Sequence, residues 1–183
     1  MLSCVGDEGA YSLVQSPSER TLADKVALHT LREKPNFKAY SFLQRGSDER
    51  QFCSPLVNLP MVGLCRSKYL EFKEYHTSLD NLSFISARGL GGALKACVEV
   101  VANLEANAVY KSACFCEPNL GKRGLYPTLS LLNQPPLISN FLAFCDGKND
   151  VIDIAEKLGV QAFELRDSIN ALLKHKLIKR VRE

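Results

Sequence analysis

The chain has 183 residues, 46% of them apolar and 23% charged, with 23 Lys and Arg against 20 Asp and Glu. That composition is too apolar for a disordered chain, and no apolar run approaches the ~20 residues of a membrane span. A net charge of +3 gives no overall field that calls for a nucleic acid, a membrane surface or a polyacid as partner.

Leu2-Ser3-Cys4-Val5, closed by Gly6-Asp7-Glu8-Gly9, is expected as a buried strand running into an acidic loop. Ser18 reads as an N-cap, and Leu22, Ala23, Val26, Ala27 and Leu31 then share one face of a helix from Glu19 to Glu33 that Pro35 ends. Ala39 to Leu43 and Leu59 to Leu64 are expected as short strands on either side of the polar segment Gln44 to Gln51. Strand, helix, strand, loop, strand predicts an α/β sheet with flanking helices. From Ser86 to Asn107, Leu90, Leu94, Val98, Val101 and Leu104 recur at helical spacing, and Gly91-Gly92 near the start permits close packing. Val109-Tyr110 is expected as a last strand.

The Gly/Pro-punctuated stretch from Cys116 to Pro127, followed by Gln134-Pro135-Pro136, marks the expected boundary between a domain over 1–134 and a second over 135–183. In the second, Leu137 to Phe144, then a helix capped by Asp150 and closed by Gly159, then Ala162 to His175, and finally the strand Leu177 to Val181 give the order of a winged helix. The seven cysteines, Cys4, Cys53, Cys65, Cys97, Cys114, Cys116 and Cys145, are odd in number and scattered. Cys114-Phe115-Cys116 has the wrong spacing for a zinc knuckle or a redox pair, so cytoplasmic structural thiols are expected. MLSCVGDEG lacks the features of a signal peptide, which also points to the cytoplasm. Of three histidines, His29 lies in an amphipathic helix and His175 at a helix end among lysines. His76 stands in a polar loop, where an imidazole placed by a rigid sheet is a candidate metal ligand.

Tyr75-His76-Thr77-Ser78-Leu79-Asp80-Asn81 resembles the closing motif of the co-catalytic zinc aminopeptidases, whose His binds zinc. Gly46-Ser47-Asp48 resembles that family's Ser-Asp-His loop, with Glu49 in place of the His. With RGSDERQFCSP (45–55), RSKY (66–69), EYHTSLDNL (74–82), EPNLGKRGLYPTL (117–129) and FCDGKND (144–150), essentially the whole chain is similar to an uncharacterised bacterial family. Its members have an aminopeptidase-like domain, often associated with polysaccharide biosynthesis, and a C-terminal winged helix. The resemblance implies a partial zinc-aminopeptidase-like sheet with flanking helices, two zinc ions on five ligands, and a separate Glu as general base on the metal-bound water. His76 matches the late His of that set and Asp7 the second Asp; the other three ligands and the base have no counterpart. The chain is therefore expected to be the C-terminal part of a longer protein and inactive alone, since two ligands do not hold a divalent cation tightly.

The acidic loop residues Glu8, Asp48 and Glu49 are expected to meet a substrate amine or the metal, and Arg45, Arg50, Arg66 and Lys68 a substrate carboxylate. Tyr75 completes the expected substrate contacts, and internal pairing of the basic residues is the alternative. The expected substrate is a small peptide or aminoacylated compound, and homo-oligomerisation is left open. A competing reading is a non-catalytic interaction module or a DNA-binding winged helix. From Pro135 onward 8 Lys and Arg face 7 Asp and Glu, too even a balance for phosphate neutralisation, so nucleic acid is not the expected partner.

Overall fold

Three short strands carry the first half of the chain: β1 (Ser12–Val14), β2 (Lys38–Tyr40) and β3 (Gly63–Cys65), in the order β2-β1-β3. The structure is a computed structural model that describes residues 1–125 and 137–181. Contacts divide the chain into two units, Met1–Val101 and Ala102–Glu183. In the first, β1 runs parallel to β2 and antiparallel to β3. A parallel pair needs a crossover, and α1 (Leu22–Leu31) supplies it. Successive strand residues point to opposite faces, so Leu13 packs with Ala27, Leu31 and Ala96 on one side and Val14 with Cys65 and Tyr69 on the other.

Several local expectations change. Leu2 to Val5 forms no strand but a single parallel bridge from Leu2 to Leu64, because Cys4 turns into the left-handed region at φ 51° and ends the extended run. The fully buried central strand is Ser12–Val14, which the sequence pattern does not single out. α1 is capped by Thr21 rather than Ser18. Thr21 Oγ1 accepts from the Asp24 amide while Asp24 accepts from the Thr21 amide, a reciprocal box that Ser18 cannot make. Leu22, at the helix start, is half exposed. β2 stops at Tyr40 and gives way to a 3-10 turn over Phe42–Gln44, and β3 begins at Gly63.

The predicted long helix, α3 (Ala87–Ala106), forms, yet it docks through a different face. Gly89, Ala93 and Ala96 are buried, while Leu90, Leu94, Val98, Val101 and Leu104 are 43–67% exposed. Small residues permit the approach: a Cβ on Gly89 would lie 2.2 Å from the Gly6 carbonyl oxygen, and one on Gly92 2.7 Å from the Tyr11 hydroxyl. Gly91 has open space instead.

In the second unit, β4 (Val109–Ser112) is the central strand of a three-stranded antiparallel sheet between β5 (Asp146–Asp150) and β6 (Ile178–Arg180). The strand expected to finish the first domain thus pairs within the second unit, and the boundary expected at 134–136 lies outside the described residues. The winged-helix order holds: α4 (Leu137–Ala143), α5 (Val151–Leu158) and α6 (Arg166–Lys174) precede β6. Asp150 caps α5 in a box with Asp153, and Gly159 closes it at φ 68°, as the sequence predicts. Phe141, Ile152, Ile154, Leu165 and Leu172 form its buried interior. Among the described residues no helix is long and apolar enough to cross a membrane.

Candidate functional site

The tetrapeptide Arg66-Ser67-Lys68-Tyr69, leaving the end of β3, ties two acidic loops to the sheet. Ser67 Oγ donates to Asp7 Oδ1 at 2.6 Å and the Ser67 amide donates to Asp7 Oδ2 at 3.1 Å. The Gly9 amide adds a bond of 2.7 Å to Oδ1, so Asp7 is fixed and only 4% exposed. Arg66 closes the same loop from the other side. Its guanidinium donates to the carbonyls of Gly9, Ala10 and Gly89 at 2.9–3.3 Å and lies 4.1 Å from the Tyr11 ring centre. With its fork spent on backbone carbonyls and 6% exposure, Arg66 positions the Asp7 loop rather than facing a substrate carboxylate.

Tyr69 performs the matching task for the second loop. Its hydroxyl donates to Glu49 Oε1 at 2.6 Å, and the amides of Gly46 and Ser47 donate to the same oxygen at 2.7 and 3.1 Å. Glu49 opens the short helix α2 (Glu49–Phe52) and is fully buried. Burial pushes its carboxyl up, but the hydrogen bonds from Tyr69 and the two amides outweigh it and hold the group below the usual carboxylate range. Its Oε2 is buried with no partner among the described residues. Burial first, and then the hydrogen bond to Glu49 and that group's charge, push the Tyr69 hydroxyl well above its ordinary value. Lys68 is also buried, donating to the Tyr69 carbonyl at 3.1 Å over the rings of Tyr40 and Tyr69. Glu49 is thus a loop-closing carboxylate, whereas its neighbours Asp48 and Arg50 are exposed.

His76 is exposed in a left-handed conformation at φ 59°, a region where His is over-represented among non-glycine residues. Its ring stacks on Tyr75 with centroids 4.0 Å apart, and Tyr75 meets Phe72 edge-on. Tyr75 and Cys4 both lean on the Val14, Cys65 and Tyr69 cluster, so the loops that carry His76 and Asp7 share one anchoring core. Burial raises the Cys4 thiol, and the charges of Asp7 and Asp80 add to the rise. Ser67 is the positioning residue that sequence reasoning missed. The available signal was its place inside RSKY, directly after a strand.

Asp7 keeps acceptor capacity on Oδ2, which takes one donor here, and an exposed imidazole is a competent ligand. These two groups are not a zinc site by themselves, since zinc takes three or four protein ligands. Among the described residues no three of His, Cys, Asp and Glu are grouped to hold a metal. All seven cysteines are free.

The chain is 36% identical over 98% of its length to a Clostridium acetobutylicum protein provisionally named for polysaccharide biosynthesis with an aminopeptidase-like domain. It spans 42% of that protein's length. A crystal structure from the same organism, provisionally described as a peptidase, superposes on 98% of this chain and 41% of its own with a TM-score of 0.86 and 35% identity. A winged helix-turn-helix family matches residues 108–180. Residues 1–107 match the domain of unknown function DUF4910, and the chain belongs to that family.

Proposed function

We propose that the chain is one part of a zinc-dependent, aminopeptidase-like hydrolase domain, in which His76 and Asp7 are metal ligands and the remaining ligands and general base lie on polypeptide that this chain does not span. The observation that carries the reading is the convergence of the Asp7 and His76 loops on one core cluster, in a chain 36% identical to a protein named for an aminopeptidase-like domain. The reaction is hydrolysis of a peptide or aminoacyl-amide bond. Asp7 is the more rigid contributor, because Ser67, Gly9 and, through the loop carbonyls, Arg66 hold its carboxylate before any metal arrives. Tyr75 orients the His76 ring by stacking, and exposed Asp48 and Arg50 remain candidates for substrate contact. The free thiols accord with a cytoplasmic setting.

The test compares the chain alone with the chain joined to the polypeptide that its Clostridium relative carries beyond the match. Aminoacyl-amide hydrolysis is expected only in the joined form, and is expected to be lost in His76→Ala. Equal activity in that variant would overturn the assignment. DNA is the less favoured partner: along the third helix and the turn that leads into it, exposed Glu164 and Asp167 stand among Arg166 and Lys174, where they would repel phosphates.

A further inference from the structure

The exposed face of α3 is out of keeping with the rest of the helix. Small residues meet the sheet, while Leu90, Leu94, Val98, Val101 and Leu104 point outward at 43–67% exposure, with Cys97 half-buried between them. At ~100° per residue these six side chains fall within a stripe about 120° wide, running about 21 Å along the axis. Half-exposed aliphatic side chains in that number leave roughly 400–500 Å² of apolar surface, as large as the largest patch on a typical monomer. Lys95 and Glu99 lie off the stripe, pairing with each other at 3.9 Å, and Glu99 also pairs with Lys34, while Glu105 is the one charged residue inside the arc, at its C-terminal end.

We infer that this stripe is the seat of an apolar segment of the family polypeptide outside the stretch this chain spans. Two observations choose that occupant. The relative has more than half its length beyond the match, since the chain spans 42% of it. The stripe is also too broad for a two-helix seam, which buries only the narrower a and d positions and would leave Val98 wet. A width above ~100° is what a helix presents to a globular core. This inference rests on the reading of the chain as one part of a larger domain.

To test it, the part of the Clostridium protein outside the match is produced separately and mixed with this chain at ~50 µM, well above a micromolar Kd. Size-exclusion chromatography with light scattering is expected to show a one-to-one complex. Leu94→Glu with Val101→Glu is expected to weaken it at least 30-fold, while Lys95→Glu, off the stripe, leaves it intact. Both altered positions are exposed, so circular dichroism of the variant should match the parent. No complex, a complex indifferent to the paired substitution, or a homodimer of this chain broken by the same pair would each overturn the inference. Zinc is read separately on the complex: a complex that binds no zinc keeps the docking and sinks the metal reading.

Discussion

Tyr69→Phe isolates one hydroxyl in the buried Glu49 network. The substitution keeps the ring that fills the core with Val14 and Cys65 and removes the 2.6 Å bond to Glu49 Oε1. Glu49 then retains only the Gly46 and Ser47 amides, and its Oε2 already lacks a partner among the described residues. A hydrogen bond to a charged group contributes about 1.5–3 kcal/mol, so a loss of about 2 kcal/mol is expected near neutral pH. A carboxyl held below its unfolded value of ~4.3 contributes stability that is fully present above that value and is lost as pH falls through the folded one. The gap between parent and variant should therefore narrow as the pH is taken down through the carboxylate range. With no Trp and two units, a single denaturation curve would blend signals, so exchange of the Leu13 and Val14 amides is the cleaner assay. A loss under about 0.5 kcal/mol, or a gap that does not narrow with acid, would refute the structural role of Glu49.

Gly89→Ala should destabilise the first unit by about 1–3 kcal/mol, because its Cβ would strike backbone oxygens of Gly6 and Asp7 at 2.2 and 2.5 Å; a thermal melt unchanged within error would deny the close approach. Asp150→Ala should cost the winged helix about 1 kcal/mol through loss of the α5 cap, read as faster exchange of amides in that helix. Cys65 and Cys145, pushed up to about 12 by burial, should resist iodoacetamide near pH 8 while exposed Cys116 labels first. Rapid labelling of Cys65 in the folded protein would contradict its placement.

Periodicity located α3, α5 and α6, because Leu, Ile and Val at helical spacing are a strong signal, and Asp150 and Gly159 punctuate α5 as such residues do. The same signal mistook which face of α3 is buried. It counts large aliphatic residues, whereas the docked face is made of Gly89, Ala93 and Ala96. β1 escaped because three residues beginning with a buried serine show no alternation, and only the pairing of Ser12–Val14 with strands on both sides makes them central. At the candidate site, the placement of Asp7 and His76 in loops beside the sheet was legible in the sequence. The burial of Glu49 and Arg66 was not, since charged residues go inside only where polar partners meet them, and the Tyr69 hydroxyl and the Gly89 carbonyl come from 20 and 23 positions away.

The central claim is that His76 and Asp7 hold zinc in the larger domain. Chelator competition on the chain joined to its relative's remaining polypeptide measures zinc affinity directly, with the parent beside His76→Ala and Asp7→Asn. The account predicts that each substitution weakens binding by about 100-fold or more, at or beyond the upper end of what an outer-shell change costs. Zinc bound equally tightly by both variants would contradict it.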